Sequence, residues 1–126
     1  MKKILIADDD MDIVELVKNR LVRNDYDVIF SNDGDDAFKK ALKHLPDLII
    51  MDVMMPKLYG GEAVKLLKSN DKTKNIPVLF LSVLAENLPS NTEFRGINVS
   101  GKLYPAITKP FEADELLSSI RLILGE

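Results

Sequence analysis

Three short apolar runs constrain the fold of this chain more than any other feature of its sequence. They are Lys3–Ala7, Leu48–Met51 and Val78–Leu81. Each run is too short for a helix and rich in Ile, Leu and Val, which is typical of strands buried on both faces of a sheet. We therefore expect these runs to form the centre of a parallel sheet that is covered on both sides.

Two further segments are weaker strand candidates. Asp27–Phe30 is short and polar at its ends, which favours an edge strand. Leu103–Ile107 contains Pro105, which cannot donate a hydrogen bond to a ladder and therefore predicts an edge position or a bulge. The preceding segment, Ala85–Lys102, has a poor helical signal, and we expect one short helix within it.

Amphipathic helical patterns alternate with the apolar runs. Their apolar positions are Ile13, Leu16, Val17 and Leu21; Ala37, Phe38, Ala41 and Leu42; Ala63, Val64, Leu66 and Leu67; and Leu116, Leu117, Ile120, Ile123 and Leu124. Strands that alternate with helices predict an α/β fold, a doubly wound parallel sheet between two helical layers. Because the sequence shows neither a repeat nor a linker, we expect residues 1–126 to form a single domain.

The composition excludes several classes of function. Cysteine is absent, which excludes disulfides, thiol catalysis and Cys-ligated zinc, and the single histidine, His44, excludes a multi-histidine metal site. A net charge of −3 gives no basic footprint, so we expect no direct contact with nucleic acid. No apolar stretch is long enough to span a membrane and no signal peptide precedes the first strand, so we expect a cytoplasmic protein.

Polar residues follow the predicted strands at the ends where an open parallel sheet binds its ligands. Asp8–Asp10 follow the first strand, Asp52 the third, Ser82 the fourth and Lys109 the fifth. If the strand order is 2-1-3-4-5, the first and third strands flank the switch point, so that Asp9 and Asp52 become neighbours. Taken alone, the three consecutive aspartates could simply cap the first helix.

The chemistry of this residue set suits phosphoryl transfer. Clustered carboxylates repel one another, and a hard cation such as Mg²⁺ would relieve that repulsion and recruit a phosphoryl group. An aspartate oxygen can attack phosphorus to give an acyl phosphate. Lys109 could neutralise one phosphoryl oxygen, and the Ser82 hydroxyl could donate a hydrogen bond to another.

Four blocks of the sequence, ILIADDD, DLIIMDVMMPKLYGG, PVLFLS and ITKPF, resemble the signature blocks of the response-regulator receiver domain. They occur in the family's order and extend over nearly the whole chain. The resemblance implies a flavodoxin-like three-layer (βα)5 fold with a five-stranded parallel sheet in the order 2-1-3-4-5, similar to chemotaxis regulators. It also implies a function in two-component signalling.

The resemblance implies a magnesium site and a phosphoacceptor. Asp8, Asp9, Asp52 and the backbone carbonyl of Met54 match the metal ligands of the family, and Mn²⁺ or Ca²⁺ is expected to substitute for Mg²⁺. Asp52 matches the residue that accepts the phosphoryl group.

Three further positions match residues that the family places beside the phosphoryl group or the acceptor strand. Ser82 and Lys109 match the two residues that contact the phosphoryl group. Lys109 precedes Pro110 across a peptide bond that is usually cis in the family, and Gly60 matches the glycine of the loop after the acceptor strand.

The sequence departs from the family pattern in several places, among them Tyr59, which stands at a position that is often acidic. Ala106 occupies the position of an aromatic residue that normally rotates with the state of the site, while Tyr104 lies two residues away and on the same face of the strand. Val83 stands where the residue after Ser82 is usually small. The stretch from Ser82 to Lys109 is also longer than usual. These departures bear on how a signal leaves the site.

The resemblance implies partners rather than a substrate. A histidine kinase or a phosphotransfer protein would donate the phosphoryl group, and an output protein would bind the face formed by the family's fourth helix, fifth strand and fifth helix. We expect no output domain within these residues, no membrane contact and no enzymatic turnover beyond phosphorylation and hydrolysis at Asp52 itself.

Two alternatives stay open at the level of sequence. A phosphatase of the haloacid-dehalogenase type also forms an aspartyl phosphate, but it requires a second aspartate two residues after the nucleophile, where this chain has Met54. A pseudo-receiver would be an interaction domain that no longer uses phosphate. The replaced aromatic at Ala106 and the bulk of Val83 favour this alternative, whereas the complete set of acids counts against it.

Overall fold

A computed structural model describes residues 1–55, 58–82, 96–109 and 111–126. In chain order its elements are β1 (Lys3–Ala7), α1 (Met11–Arg23), β2 (Asp27–Ser31), α2 (Gly34–His44), β3 (Leu48–Asp52), α3 (Gly60–Ser69), β4 (Val78–Ser82), β5 (Gly96–Val99), β6 (Lys102–Thr108) and α4 (Ala113–Leu124). Each of the five predicted strands is present, and so are the four helices predicted from amphipathic patterns. Among the described residues, no helix has both the length and the apolar character needed to cross a membrane.

The strands form one six-stranded sheet in the order β2-β1-β3-β4-β6-β5. The first five of these strands are parallel, and they reproduce the predicted order 2-1-3-4-5. The predicted count of five strands was wrong by one, because β5 adds an antiparallel strand beyond β6. The α/β fold class is confirmed.

The additional strand corrects one prediction and bears on another. An edge position or a bulge was predicted for Leu103–Ile107, and the edge position is wrong, because this strand lies between β4 and β5. Pro105 is tolerated there because it pairs with Gly96 at the end of the hairpin, while the ladder to β4 begins at Ala106. One short helix was expected within Ala85–Lys102; Gly96–Val99 of this segment form β5, and residues 83–95 lie outside the described part, so the helix stays a prediction.

A two-residue turn closes the β5–β6 hairpin. Ser100 has a φ of 54° and Gly101 a φ of 86°, so both central residues lie in the left-handed region that such hairpin turns require. The Asn98 side chain accepts a hydrogen bond of 3.0 Å from the Gly101 backbone N–H. The dipeptide Ser-Gly, between Val99 and Lys102, was the sequence signal for this hairpin.

The sheet separates two hydrophobic cores. Along β1, Ile4 and Ile6 pack toward α1 and α4, whereas Leu5 and Ala7 pack toward α2 and α3. All four side chains are fully buried. This two-sided burial is the reason that the central strands read as unbroken apolar runs rather than as alternating patterns.

Helix α3 begins in direct contact with the end of β3. The Gly60 backbone N–H donates a hydrogen bond of 2.9 Å to the Val53 carbonyl. A Cβ atom at Gly60 would collide with the Asp52 carbonyl oxygen and would lie 3.1 Å from the Val53 Cα. Glycine is therefore required here by space, which agrees with the role that the sequence resemblance assigned to this position.

We predict that Gly60→Ala lowers the free energy of unfolding by about 2 kcal/mol, because the added methyl group must displace backbone rather than a flexible side chain. Gly61→Ala is the matched control, since its Cβ would lie at an ordinary 3.9 Å from Val99 Cγ2. Urea denaturation of the two variants checks this. Equal stability of the two variants would contradict the account of this contact.

Candidate functional site

The carboxyl ends of the parallel strands bring four of the predicted site residues together. Asp8 and Asp9 follow β1, Asp52 ends β3, and Lys109 follows β6. The register aligns these ends, since Ala7 pairs with Met51 on β3 and Asp52 pairs with Leu81 on β4. The predicted convergence on one edge of the sheet is present in the fold.

Three carboxylates form the acidic cluster. One oxygen from each of Asp8, Asp9 and Asp52 lies within 4.8 Å of the others. Asp8 is fully buried and Asp52 is 7% exposed, whereas Asp9 faces solvent. Two of the three acids are therefore removed from water, which would disfavour their charged forms unless cations compensate them.

The local backbone separates the capping aspartate from the aspartates of the cluster. Asp10 is the N-cap of α1, and its side chain accepts hydrogen bonds from the Asp12 and Ile13 backbone N–H groups. Asp8 Oδ1 accepts a hydrogen bond of 3.0 Å from the Asp10 N–H. The helix-capping interpretation thus applies to Asp10, and it leaves Asp8 and Asp9 available for the cluster.

Lys109 is the cation of the site. Its Nζ lies 2.7 Å from Asp8 Oδ2 and 3.5 Å from Asp52 Oδ2, and its side chain is only 13% exposed. Sequence reasoning placed Lys109 beside the acceptor, but it missed the shorter bond to Asp8. No local pattern signals a pair that is separated by 101 residues.

The pKa of Asp52 is raised to about 7, first by burial and then by the charge of Asp8, and these effects outweigh the lowering effect of Lys109. Burial alone would lower the pKa of Lys109, but its hydrogen bond to Asp8 and the charges of both aspartates raise it. Lys109 thus stays charged at neutral pH, while Asp52 lies close to its midpoint when no further cation is present.

The donor set fits a hard divalent cation. Three carboxylates that converge on one point offer oxygen ligands, which Mg²⁺ prefers, and the exposed position of Asp9 leaves room for water ligands. Added positive charge would also favour the ionised form of Asp52, the form that can act as a nucleophile.

Other predicted site residues are placed only in part. The Met54 backbone N–H donates a hydrogen bond of 3.3 Å to Asp52 Oδ1, which holds the Met54 backbone beside the acidic cluster. Ser82 ends β4 opposite Thr108. The Ser82 side chain, Val83 and Pro110 lie outside the described part of the structure, so the predictions that rest on them stay predictions.

Ala106, which stands where the family pattern has an aromatic residue, is part of strand β6. Ala106 is half-buried and pairs with Phe80 of β4. Tyr104 lies on the same face and is 6% exposed, and its ring meets that of Phe80 edge-on at 6.0 Å. The expectation that Tyr104 and Ala106 share a face agrees with their packing in the same core.

Comparison with known protein families shows which family this chain belongs to. The sequence model of the response regulator receiver domain matches residues 4–121. The chain belongs to the response regulator receiver domain family. This receiver domain also resembles the chemotaxis response regulator CheY4 of Vibrio cholerae, with a TM-score of 0.83 and 32% identity over 98% of each chain.

Two further proteins illustrate the range of its relatives. The Bacillus subtilis alkaline phosphatase synthesis transcriptional regulatory protein PhoP is 39% identical over 98% of this chain. The receiver domain of the Pseudomonas aeruginosa sensor kinase PA1611, solved with magnesium in its active site cleft, shares the fold with a TM-score of 0.83 at 23% identity, covering 99% of this chain and 98% of that one. The chain spans about half the length of the curated relatives it matches, 48% in the case of PhoP.

We predict that Asp52 makes this receiver domain less stable as the pH rises. The folded pKa of about 7 exceeds the ordinary value of 3.8, so between these values the folded state keeps a proton that the unfolded chain has released. The contribution of Asp52 to stability is therefore present below pH 3.8 and is lost as the pH rises through 7. In chelator, the free energy of unfolding of Asp52→Asn relative to that of the native chain should rise by about 3 kcal/mol between pH 4.5 and pH 8.

Urea denaturation at both pH values measures this difference. Parallel pH profiles for the native chain and Asp52→Asn would contradict the raised pKa.

We also predict that Lys109→Gln raises the pKa of Asp52 above its native value, because the variant removes the cation that lowers this pKa. The ¹³Cγ chemical shift of Asp52, titrated by NMR in chelator, reports the change. Lys74→Gln is the control, since Lys74 pairs with Asp71 on the surface. An unchanged titration midpoint in Lys109→Gln would show that Lys109 does not act on Asp52.

Proposed function

We propose that Asp52 is the phosphoacceptor of this receiver domain and that residues 1–126 act as one receiver unit. The observation that carries the proposal is the convergence of Asp8, Asp9, Asp52 and Lys109, which includes a buried, cation-paired carboxylate at the end of a parallel strand. A carboxylate oxygen of Asp52 forms the new bond to phosphorus. The bond from phosphorus to a donor imidazole nitrogen breaks, and its electron pair stays on that nitrogen.

The other residues of the site would bind the phosphoryl group and the metal ion. Lys109, already within 3.5 Å of Asp52, is positioned to neutralise a phosphoryl oxygen. We assign hydrogen bonding to a second phosphoryl oxygen to the Ser82 hydroxyl. Asp8, Asp9, Asp52 and the Met54 carbonyl would hold Mg²⁺, with Mn²⁺ or Ca²⁺ as substitutes. When bound, the metal supplies positive charge that stabilises the transferring phosphoryl group.

The partners follow from this chemistry. A histidine kinase or a histidine phosphotransfer protein in the cytoplasm would supply the phosphoryl group. The output partner would bind the face that the family builds from its fourth helix, fifth strand and fifth helix. The last two of these correspond here to β6 and α4. Several relatives are named as transcriptional regulators, and we propose no direct DNA contact for the residues of this chain, whose net charge is −3.

We propose no enzymatic turnover beyond phosphorylation and hydrolysis at Asp52. Met54 stands where a phosphatase of the haloacid-dehalogenase type needs its second acid, and the Met54 side chain is 49% exposed at the rim of the site. The pseudo-receiver alternative is not supported, because the chain matches the receiver family and its acidic cluster is complete.

The direct test is the intact mass of the protein after incubation with acetyl phosphate. We predict that the native chain gains one phosphoryl group in the presence of Mg²⁺ and none in chelator, while Asp52→Asn gains none under either condition. A gain that persists in Asp52→Asn would exclude Asp52 as the acceptor. No gain in the native chain, together with an NMR spectrum unchanged by beryllofluoride and Mg²⁺, would revive the pseudo-receiver.

We predict that Asp9→Asn weakens Mg²⁺ binding by at least about tenfold, the cost that is common even for outer partners of metal ligands. Asp10→Asn is the matched control, because Asn caps a helix as well as Asp does and Asp10 lies outside the cluster. Calorimetric titration with MgCl₂ measures both variants. Equal weakening in the two variants would point to general surface charge rather than to a ligand at Asp9.

A further inference from the structure

A groove lies at the edge of the sheet opposite to the acidic cluster. It runs between the end of α3, the hairpin strand β6 and helix α4, and has a volume of about 340 Å³. Its apolar lining includes Pro77, Leu103 and Ile123, and its rim carries three lysines, Lys68, Lys74 and Lys102. We call this feature the lysine groove.

The rim lysines are held in place by the fold. Lys68 Nζ donates hydrogen bonds to the carbonyls of Lys74, at 3.0 Å, and Ile76, at 2.6 Å. The same Nζ lies 5.8 Å from the centre of the Tyr104 ring, and Lys102 Nζ lies 5.3 Å from it. Two ammonium groups are therefore gathered around one aromatic ring, although their charges repel.

Negative charge is scarce around this rim. Lys74 has a partner in Asp71, at 3.3 Å on the surface. Among the residues that the structure describes, neither Lys68 nor Lys102 has a carboxylate within ion-pair distance. The pKa of Lys68 is lowered first by burial and then by the charge of Lys102. In a chain whose net charge is −3, this edge thus brings together two lysines that have no carboxylate partner within the described part of the chain.

The groove combines this charge with exposed apolar surface. Leu103 is 50% exposed, and Ile123 is half-buried across from it. A volume of about 340 Å³ is large enough to admit an apolar side chain of a partner. A ligand that satisfies both features carries one apolar anchor among carboxylates.

We propose that the lysine groove docks an acidic segment of a partner protein, in which one apolar side chain is flanked by carboxylates. The apolar side chain enters between Leu103 and Ile123, and the carboxylates pair with Lys68 and Lys102. The groove begins at Val78 and the site lies beyond Ser82, about 13 Å away along β4. This docking is therefore a separate property from phosphorylation of Asp52.

The test is an NMR titration of the ¹⁵N-labelled chain with a short synthetic peptide that has two glutamates on each side of one leucine. We expect amide shifts at Leu103, Tyr104 and Lys68. Binding to Lys102→Glu should be about three- to tenfold weaker, as expected when one exposed ion pair is replaced by a like-charge contact. Lys18→Glu, a charge reversal on exposed α1, is the matched control and should bind as the native chain does.

Several results would overturn the proposal. They are an absence of shifts in the groove, equal binding of a peptide with glutamine in place of glutamate, equal weakening by Lys18→Glu and Lys102→Glu, and equal shifts on adding duplex DNA or phosphatidylglycerol vesicles. Asp52→Asn should bind the peptide unchanged, so a failure here is distinguishable from a failure of phosphorylation. Thermal melts of each variant establish that it is folded, which is expected because Lys102 and Lys18 are both exposed.

Discussion

The bond between Lys109 and the buried carboxylate of Asp8 is the interaction on which the rest of the site depends. It joins the ends of β1 and β6 across the intervening ends of β3 and β4, with a length of 2.7 Å and little access to water. Without it, Asp8 would be a buried charge without a cation among the described residues, and its repulsion would act fully on Asp52. Lys109 thus lowers the free-energy cost of holding the two carboxylates of Asp8 and Asp52 close together.

In that arrangement Lys109 compensates only part of the negative charge of Asp8 and Asp52. Among the described residues one lysine faces two buried carboxylates, and the pKa of Asp52 is raised first by burial and then by the charge of Asp8, which Lys109 does not fully offset. A divalent cation would correct the imbalance, and the proposed phosphoryl group on Asp52 would give Lys109 a second anion to contact. The same electrostatic deficit favours binding of a divalent cation, which would return Asp52 to its ionised, nucleophilic form.

Much of the fold was predictable because the central strands are buried on both faces. Lys3–Ala7 was located to the residue, and Leu48–Met51 was extended by one residue, to Asp52. Strands that are buried on both faces appear in the sequence as unbroken apolar runs. Their ends could therefore be located, and the acidic cluster at those ends could be inferred. The pairing of Asp8 with Lys109 could not be, because it depends on side-chain reach across the sheet rather than on a local pattern.

The hairpin was missed for a different reason. Gly96–Val99 is only four residues long, and Pro105 led to the prediction that its partner strand, β6, lies at an edge of the sheet or contains a bulge. Pairing with β5 places β6 inside the sheet, where Tyr104 packs against Phe80. The aromatic residue that the family pattern has on this strand would stand two residues later, at the position of Ala106. The hairpin also brings Lys102 beside Lys68 and so creates the lysine groove. The added hairpin, one departure from the family pattern, thus lies away from the acids.

The central claim is that the carboxylate at the end of β3 carries the phosphoryl group, and chemical mapping tests it most directly. Sodium borohydride reduces an acyl phosphate to the corresponding alcohol, so treatment after incubation with acetyl phosphate and Mg²⁺ should convert the phosphorylated aspartate to homoserine. Tandem mass spectrometry is predicted to find homoserine at position 52 and at no other aspartate. Homoserine at position 8 or 9, with position 52 unmodified, would contradict the account.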